Sequence, residues 1–207
     1  MARMRPVRKN QIILYQGEAV TNMHIVRTGI VRAYSILSNG NEVVVAMFGP
    51  NDYFPVGALY GVAPASLFYY ETMSDGQLES MTVPEFVEYI THEEDEIVRG
   101  SRRYMGALLH VNALGQATAA EQLAHTLRYL VLRFGVPLPG RIFTRIDIKL
   151  TQQDIARLCN VSRETASIEL GKLKAKNIIT ERSKLYSVNM HLLNKLLGEE
   201  ESSGYVP

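Results

Sequence analysis

The sequence predicts an α+β chain, with an N-terminal double-stranded β-helix (jelly roll), a long dimerisation helix and a C-terminal winged helix-turn-helix. Three observations lead there. The first hundred residues hold short strand-like runs at regular spacing, separated by turn residues. A helical stretch follows in which apolar and small residues recur alternately four and three apart. Residues 150 to 179, LTQQDIARLCNVSRETASIELGKLKAKNII, then fit a helix, a three-residue turn and a second helix into thirty positions. The expected boundaries are 1–93 for the β-roll, 94–117 for the dimerisation helix and 118–207 for the winged helix-turn-helix.

In chain order, residues 31–37 and 42–48 read as strands on either side of Ser38-Asn39-Gly40-Asn41, whose Asn-Gly signals a tight hairpin. Gly17, Gly29, Gly49 and Gly61 mark further turns. Residues 68–72 and 77–83 add two strands around Ser74-Asp75-Gly76. Pro84 opens a helix over 85–92, and a longer helix runs from about 94 to 116. In the longer one Ile97, Ser101, Tyr104, Leu108, Val111 and Gly115 follow coiled-coil spacing, which predicts a two-fold dimer. Packing of this helix on its own β-roll alone is the competing reading. Residues 119–134 form another helix through Leu123, Leu127, Leu130 and Phe134, and the stretch 135–140, GVPLPG, breaks the chain.

The thirty-residue segment can be argued residue by residue. Thr151 caps a first helix of about two turns, with Asp154 favoured by the positive end of its dipole. Asn160 stands where the turn needs a left-handed residue, Val161 plugs the angle, and Ser162 caps the second helix. Ala166, Leu170 and Leu173 face inward, leaving Arg163, Glu164, Ser167 and Ile168 at the exposed N-terminal end, the end that reads bases. Arg163 suits the O6 and N7 of guanine, and Glu164 suits a cytosine N4. Thr151, Gln153, Ser162 and Thr165 are short polar groups suited to phosphate oxygens. Residues 178–181 and 185–188 flank Arg182-Ser183-Lys184 as a basic wing, residues 190–197 look helical, and 198–207 reads as a frayed tail.

Charge agrees with a chain of two characters. Residues 33–98 contain no Lys or Arg and eleven acids, whereas the remainder carries all 22 bases against the other ten acids. One half repels phosphate and the other attracts it. A hydrophobic content of 46% in 207 residues suits two modest domains. No signal peptide or membrane span can be drawn, and one cysteine excludes an internal disulfide framework, so a cytoplasmic location is expected with no membrane partner.

At Ser162-Arg163-Glu164-Thr165, preceded by Leu150-Thr151-Gln152-Gln153-Asp154-Ile155-Ala156, the chain closely resembles the DNA-binding domain of the CRP/FNR transcription regulators. The order β-roll, dimer helix, winged helix-turn-helix extends that resemblance over nearly the whole chain. The resemblance implies a homodimeric, non-enzymatic regulator that binds double-stranded DNA at a pseudo-palindromic operator. It also implies contact with RNA polymerase, with residues 136–147 as the candidate segment. Many relatives carry a DNA-contacting basic residue where this chain has Ile168, which implies a variant half-site in which Ile168 offers apolar contact to a thymine methyl.

The effector is the part that departs from the pattern. In nucleotide-binding members a Gly-Glu-Leu stretch and a later Arg-Ser pair hold the phosphate; here Ala58 takes the place of the glutamate and Ala65 that of the arginine. An unpaired buried phosphate is very costly, so cyclic AMP is not expected to bind in the family manner. A cluster needs about four thiolates and only Cys159 exists, which excludes iron–sulfur chemistry; Cys159 reads as a buried small residue. His24, His92, His110, His125 and His191 are scattered singly, so neither haem nor another metal is expected. Tyr53, Phe54, Phe68, Tyr69 and Tyr70 read as roll core or as the lining of a pocket for an uncharged ligand, and the effector pocket stays open. Two other functions compete. One is a DNA-binding regulator without effector, controlled by its abundance; the other is a cupin-like metalloenzyme, disfavoured because no His-x-His pair occurs.

Overall fold

The computed structural model describes residues 3–61, 63–92, 95–140 and 142–198, without the side chains of Tyr60 and Ile97. The chain divides into two compact units, Met1–Arg99 and Gly100–Pro207. The expected boundary at 93/94 and the tail from 199 onward lie outside the described residues.

Among the described residues the first unit holds eight strands: β1 (Arg3–Val7), β2 (Ile12–Leu14), β3 (Asn22–Thr28), β4 (Val31–Ile36), β5 (Glu42–Phe48), β6 (Tyr53–Phe54), β7 (Tyr69–Thr72) and β8 (Gly76–Thr82). They form two antiparallel sheets ordered β1-β8-β3-β6 and β2-β7-β4-β5, the alternation of a jelly roll. Inward side chains of both sheets meet in a core that includes Val26, Ala33, Phe48, Phe54, Tyr70 and Leu78, with Phe54 stacked on Tyr70 at 4.8 Å between centroids. Helix α1 (Val83–Thr91) begins at a capping box between Thr82 and Glu85, with Pro84 in its first turn. Phe86 of α1 joins Met23, Ile25, Tyr53 and Met81 in a second cluster, so β3 is buried on both faces. That double burial removes the alternation by which a strand is recognised, and β3 has no clear sequence signal. At the β4–β5 hairpin, Gly40 N–H donates to Leu37 O and Leu37 N–H to Asn41 O, both at 2.9 Å. Gly40 alone takes the left-handed conformation there, at φ 83°, so the loop is a three-residue type with a bulge at the glycine.

Helix α2 (Glu96–Leu114) precedes α3 (Ala119–Phe134), which a Thr118–Glu121 capping box opens. Gly106, His110 and Ala113 form the buried face of α2. His110 stacks on Tyr129 of α3 at 4.7 Å, and a Cβ on Gly106 would lie 2.5 Å from Arg133 Cδ and 3.4 Å from Tyr129. The close helix approach inside this chain therefore falls at Gly106. Around the other side, Ser101, Tyr104, Leu108, Val111 and Gly115 are exposed, Tyr104 and Val111 at 66% and 62%. The side chain of Ile97 falls outside the described residues.

The rest of the second unit comprises β9 (Gly135–Pro137), β10 (Thr144–Ile146), α4 (Gln152–Cys159), α5 (Arg163–Ala175), β11 (Ile179–Arg182), β12 (Leu185–Val188) and α6 (Met190–Leu196). Helices α3, α4 and α5 pack on one another through Leu127, Leu130, Ile155, Leu158, Ala166 and Leu170, all buried. The sheet order is β11-β12-β10-β9. The stretch 135–140, read above only as a break, starts an antiparallel hairpin whose edge strand carries Pro137. Proline misleads here because an outer strand loses no inter-strand hydrogen bond by lacking an N–H on its free side.

Candidate DNA interface

The geometry of the helix-turn-helix starts from its caps. Thr151 Oγ1 accepts from Asp154 N–H at 3.1 Å, while the Thr151 N–H and hydroxyl both donate to Asp154 Oδ2, at 2.8 and 2.6 Å. Both donors of Thr151 are thus committed inside the chain, and neither is left for a phosphate without opening the cap. Thr151 thus positions α4, and its hydroxyl reaches a phosphate only by leaving Asp154. Asn160 adopts φ 55° and ψ 41°, the left-handed stop that the turn requires, and Val161 N–H closes back on Ala156 O at 3.0 Å.

Ser162 caps α5 by accepting from Thr165 N–H at 3.0 Å, and the two hydroxyls lie 2.9 Å apart. One hydroxyl proton is used between them, so one remains for an outside acceptor. Ala166, Leu170 and Leu173 are buried, whereas Arg163, Glu164 and Ile168 are exposed, Ile168 at 59%, and Ser167 is half-buried. Arg163 and Glu164 form no ion pair with the described residues. A guanidinium and a carboxylate therefore stand open, side by side, on the first turn of a capped helix.

The wing is a two-residue turn with Ser183 and Lys184 at φ 54° and 68°. Lys174 of α5 donates to Glu181 of β11 at 2.8 Å, which holds the Glu181 carboxyl below its ordinary range, and Leu150 N–H donates to Lys184 O at 2.9 Å. The wing is thereby tied both to α5 and to the residue just before the α4 cap. A concavity of about 490 Å³ opens between them, lined by Thr151, Gln153, Arg163, Lys184 and Tyr186 among others. Gln153 is exposed at its rim. An exposed recognition turn, a free hydroxyl proton and a basic wing around one hollow can grip a duplex backbone and present two side chains to base edges.

In the roll, Ala58 and Ala65 line a small cavity of about 150 Å³ together with Ala33, Val45, Phe48 and Tyr70, and among the described residues no charged side chain borders it. Arg32, just before the stretch without Lys or Arg, is committed elsewhere: it pairs with Glu71 at 2.9 Å and Glu42 at 2.8 Å and lies over the Tyr34 ring. The five aromatics do not share one pocket. Phe68 and Tyr70 line the cavity, Phe54 belongs to the core, Tyr53 packs under α1 against Phe86, and Tyr69 stacks on Tyr34. Cys159 is fully buried, and burial pushes its thiol up to about 12. Among the described residues no three potential metal-ligating side chains cluster, and no helix is long and apolar enough to cross a membrane.

A jelly roll followed by a winged helix-turn-helix with an open recognition turn defines a DNA-binding transcription regulator, not an enzyme. Comparison with known proteins agrees: residues 4–92 match the cyclic nucleotide-binding domain and residues 121–196 the Crp-like helix-turn-helix domain. The chain belongs to the CRP/FNR family of transcription regulators. It is 27% identical over 187 residues to the global nitrogen regulator of Nostoc sp., covering 87% of this chain and 82% of that protein. It is 24% identical over 189 residues to the regulatory protein HlyX of Actinobacillus pleuropneumoniae, covering 90% and 78%. The structure of FixK2 from Bradyrhizobium japonicum shares the fold with a TM-score of 0.74 at 21% identity, over 98% of this chain and all of that one.

Proposed function

We propose that this chain acts as a homodimer on a pseudo-palindromic operator, each α5 entering a major groove and each half-site being read by Arg163 and Glu164. The observation that carries this is the open, unpaired Arg163–Glu164 pair on a capped first turn, beside a tethered basic wing. Arg163 takes a guanine, Glu164 a cytosine, and Ser167 and Ile168 the neighbouring step, Ile168 by apolar contact with a thymine methyl. Gln153, Ser162 and Thr165 supply phosphate contacts. The exposed stripe of Tyr104, Leu108 and Val111, opposite a face of α2 already buried on α3, supports pairing through α2. A DNA partner supports a cytoplasmic location without membrane attachment, and family membership supports contact with RNA polymerase through residues 136–147.

The protein does not respond to cyclic AMP in this reading. A cavity near 150 Å³ without a charged lining supports that, being well below the roughly 300 Å³ at which small-molecule pockets begin. The same observation favours a second reading, a regulator set by its abundance and needing neither haem, iron–sulfur cluster nor metal. Selection of bound sequences from random DNA by the full chain, with and without cell metabolites, tests both. One shared palindromic motif in both conditions supports abundance control, a metabolite-dependent motif overturns it, and absence of any motif overturns the DNA reading. A micromolar calorimetric response to cyclic AMP would refute the nucleotide argument.

A further inference from the structure

The first unit holds a larger hollow than the one bordered by Ala58 and Ala65. Of about 630 Å³, it lies where the β1-β8-β3 sheet meets β2 and the loop after it, and the two share no lining residue. Its chemistry is opposite. Arg3, Ser80 and His24 occupy one row across three neighbouring strands, with Arg3 opposite Ser80 and Ser80 opposite His24. One row deeper, Arg5 is opposite Leu78, which pairs with Val26, and both partners are core residues. Arg3 and Arg5 therefore sit on the face of β1 that turns toward the roll interior, with a hydrophobic floor beneath them.

These two cations are uncommitted. Neither forms an ion pair or hydrogen bond with the described residues, and Arg5 Nε is buried without a partner. The acids on the same hollow are engaged locally: Glu85 accepts from the Thr82 N–H and hydroxyl at 3.0 and 2.9 Å, and Glu18 accepts from Tyr15 N–H at 3.0 Å. His24 is 8% exposed, its Nδ1 lies 2.7 Å from Ser80 Oγ, and burial together with Arg5 lowers its pKa to about 4, so the ring stands neutral beside the arginines. Guanidinium groups without carboxylate partners, one with a buried unpartnered N–H, on a hollow lined by hydroxyl and imidazole groups, lack the oxyanion that would satisfy them.

We propose that this hollow is a binding site for a small oxyanion, a carboxylate or phosphate compound, held by Arg3 and Arg5 and hydrogen-bonded by the Ser80–His24 row. The site is separate from the cavity at the nucleotide position and does not rest on the DNA reading. A different role for inward charges on β1, the outer strand of its sheet, is to deter edge-to-edge pairing. The two roles predict different results.

Isothermal titration of the full chain with citrate, and separately with inorganic phosphate, at an ionic strength fixed with sodium chloride, decides between them. Saturable one-to-one binding of either anion is expected, and which anion binds separates an organic from an inorganic ligand. Arg5→Ala weakens that binding at least tenfold, Arg3→Ala/Arg5→Ala abolishes it, and Ala65→Leu in the other cavity leaves it unchanged. Should Arg5→Ala fail to fold, Arg5→Lys keeps the charge but loses the forked donor and must weaken binding at least threefold. No saturable binding of either anion, or affinity indifferent to the Arg5 variants, overturns the proposal. Variants that aggregate while binding the anion as well as the parent chain leave edge protection as the role of Arg3 and Arg5.

Discussion

At Arg163 the absence of an internal partner is what makes the side chain informative. A guanidinium with no carboxylate to neutralise it is free to pair with a base edge at no cost in broken contacts. Arg163→Ala is expected to cost roughly 1–3 kcal/mol on the preferred operator and to relax preference at one guanine of each half-site, measured by competition binding against single-base variants. Thr151→Ala should behave differently because both its donors serve the cap. It should lower stability by about 1 kcal/mol in a urea melt while leaving the ratio of specific to mutated operator unchanged. His24 adds a pH dependence. Its folded pKa of about 4 lies below the ordinary 6.5, owing first to burial and then to Arg5, so the unfolded chain binds the proton more readily. The stability from keeping this ring neutral is complete above about 6.5 and lost as pH falls toward about 4, up to about 3 kcal/mol; His24→Gln should flatten that part of the stability profile.

Among the elements, the wing shows a compromise between backbone and function. Ser183 and Lys184 hold left-handed conformations that glycine or asparagine would hold with less strain. Lys184→Gly should therefore raise Tm by about 2–4 °C while removing one cation from the hollow, lowering the salt slope of DNA binding by about one. A result with Tm and slope unchanged would count against both assignments. The legibility of elements varied for the same physical reasons. The helix-turn-helix was readable because its caps, its asparagine turn and its apolar spacing are local. Strand β3, covered on both faces by core and by α1, shows no alternation, and β9 carries a proline that is harmless only because the strand is at an edge. At Thr151 the residue type alone leaves two roles open, since a hydroxyl suited to phosphate is equally suited to a capping carboxylate three residues on.

For the whole molecule, helix α2 carries two unlike faces, one buried on α3 around Gly106 and His110, the other exposed along Tyr104, Leu108 and Val111. Two copies paired along the exposed stripe would bring two recognition helices to one operator, as two-fold half-sites require. Leu108→Glu should shift the protein to monomer in sedimentation equilibrium and weaken operator binding at least a hundredfold, with helical content unchanged. Dimers that persist at micromolar concentration would place the interface elsewhere.

By itself the sequence determined the jelly roll, the winged helix-turn-helix and the place of Arg163 and Glu164 on the first turn of its second helix. Those features depend on neighbours a few residues apart, on periodicity and on which side chains are charged. Tertiary structure alone decided that Thr151 has no donor to spare, that the wing is anchored through Leu150, and that Arg3 and Arg5 face a hollow with His24 and Ser80. Each of these depends on which distant strands lie side by side, and the pairing of β1 with β8 and of β8 with β3 is a long-range event that leaves no trace in the local order of residues.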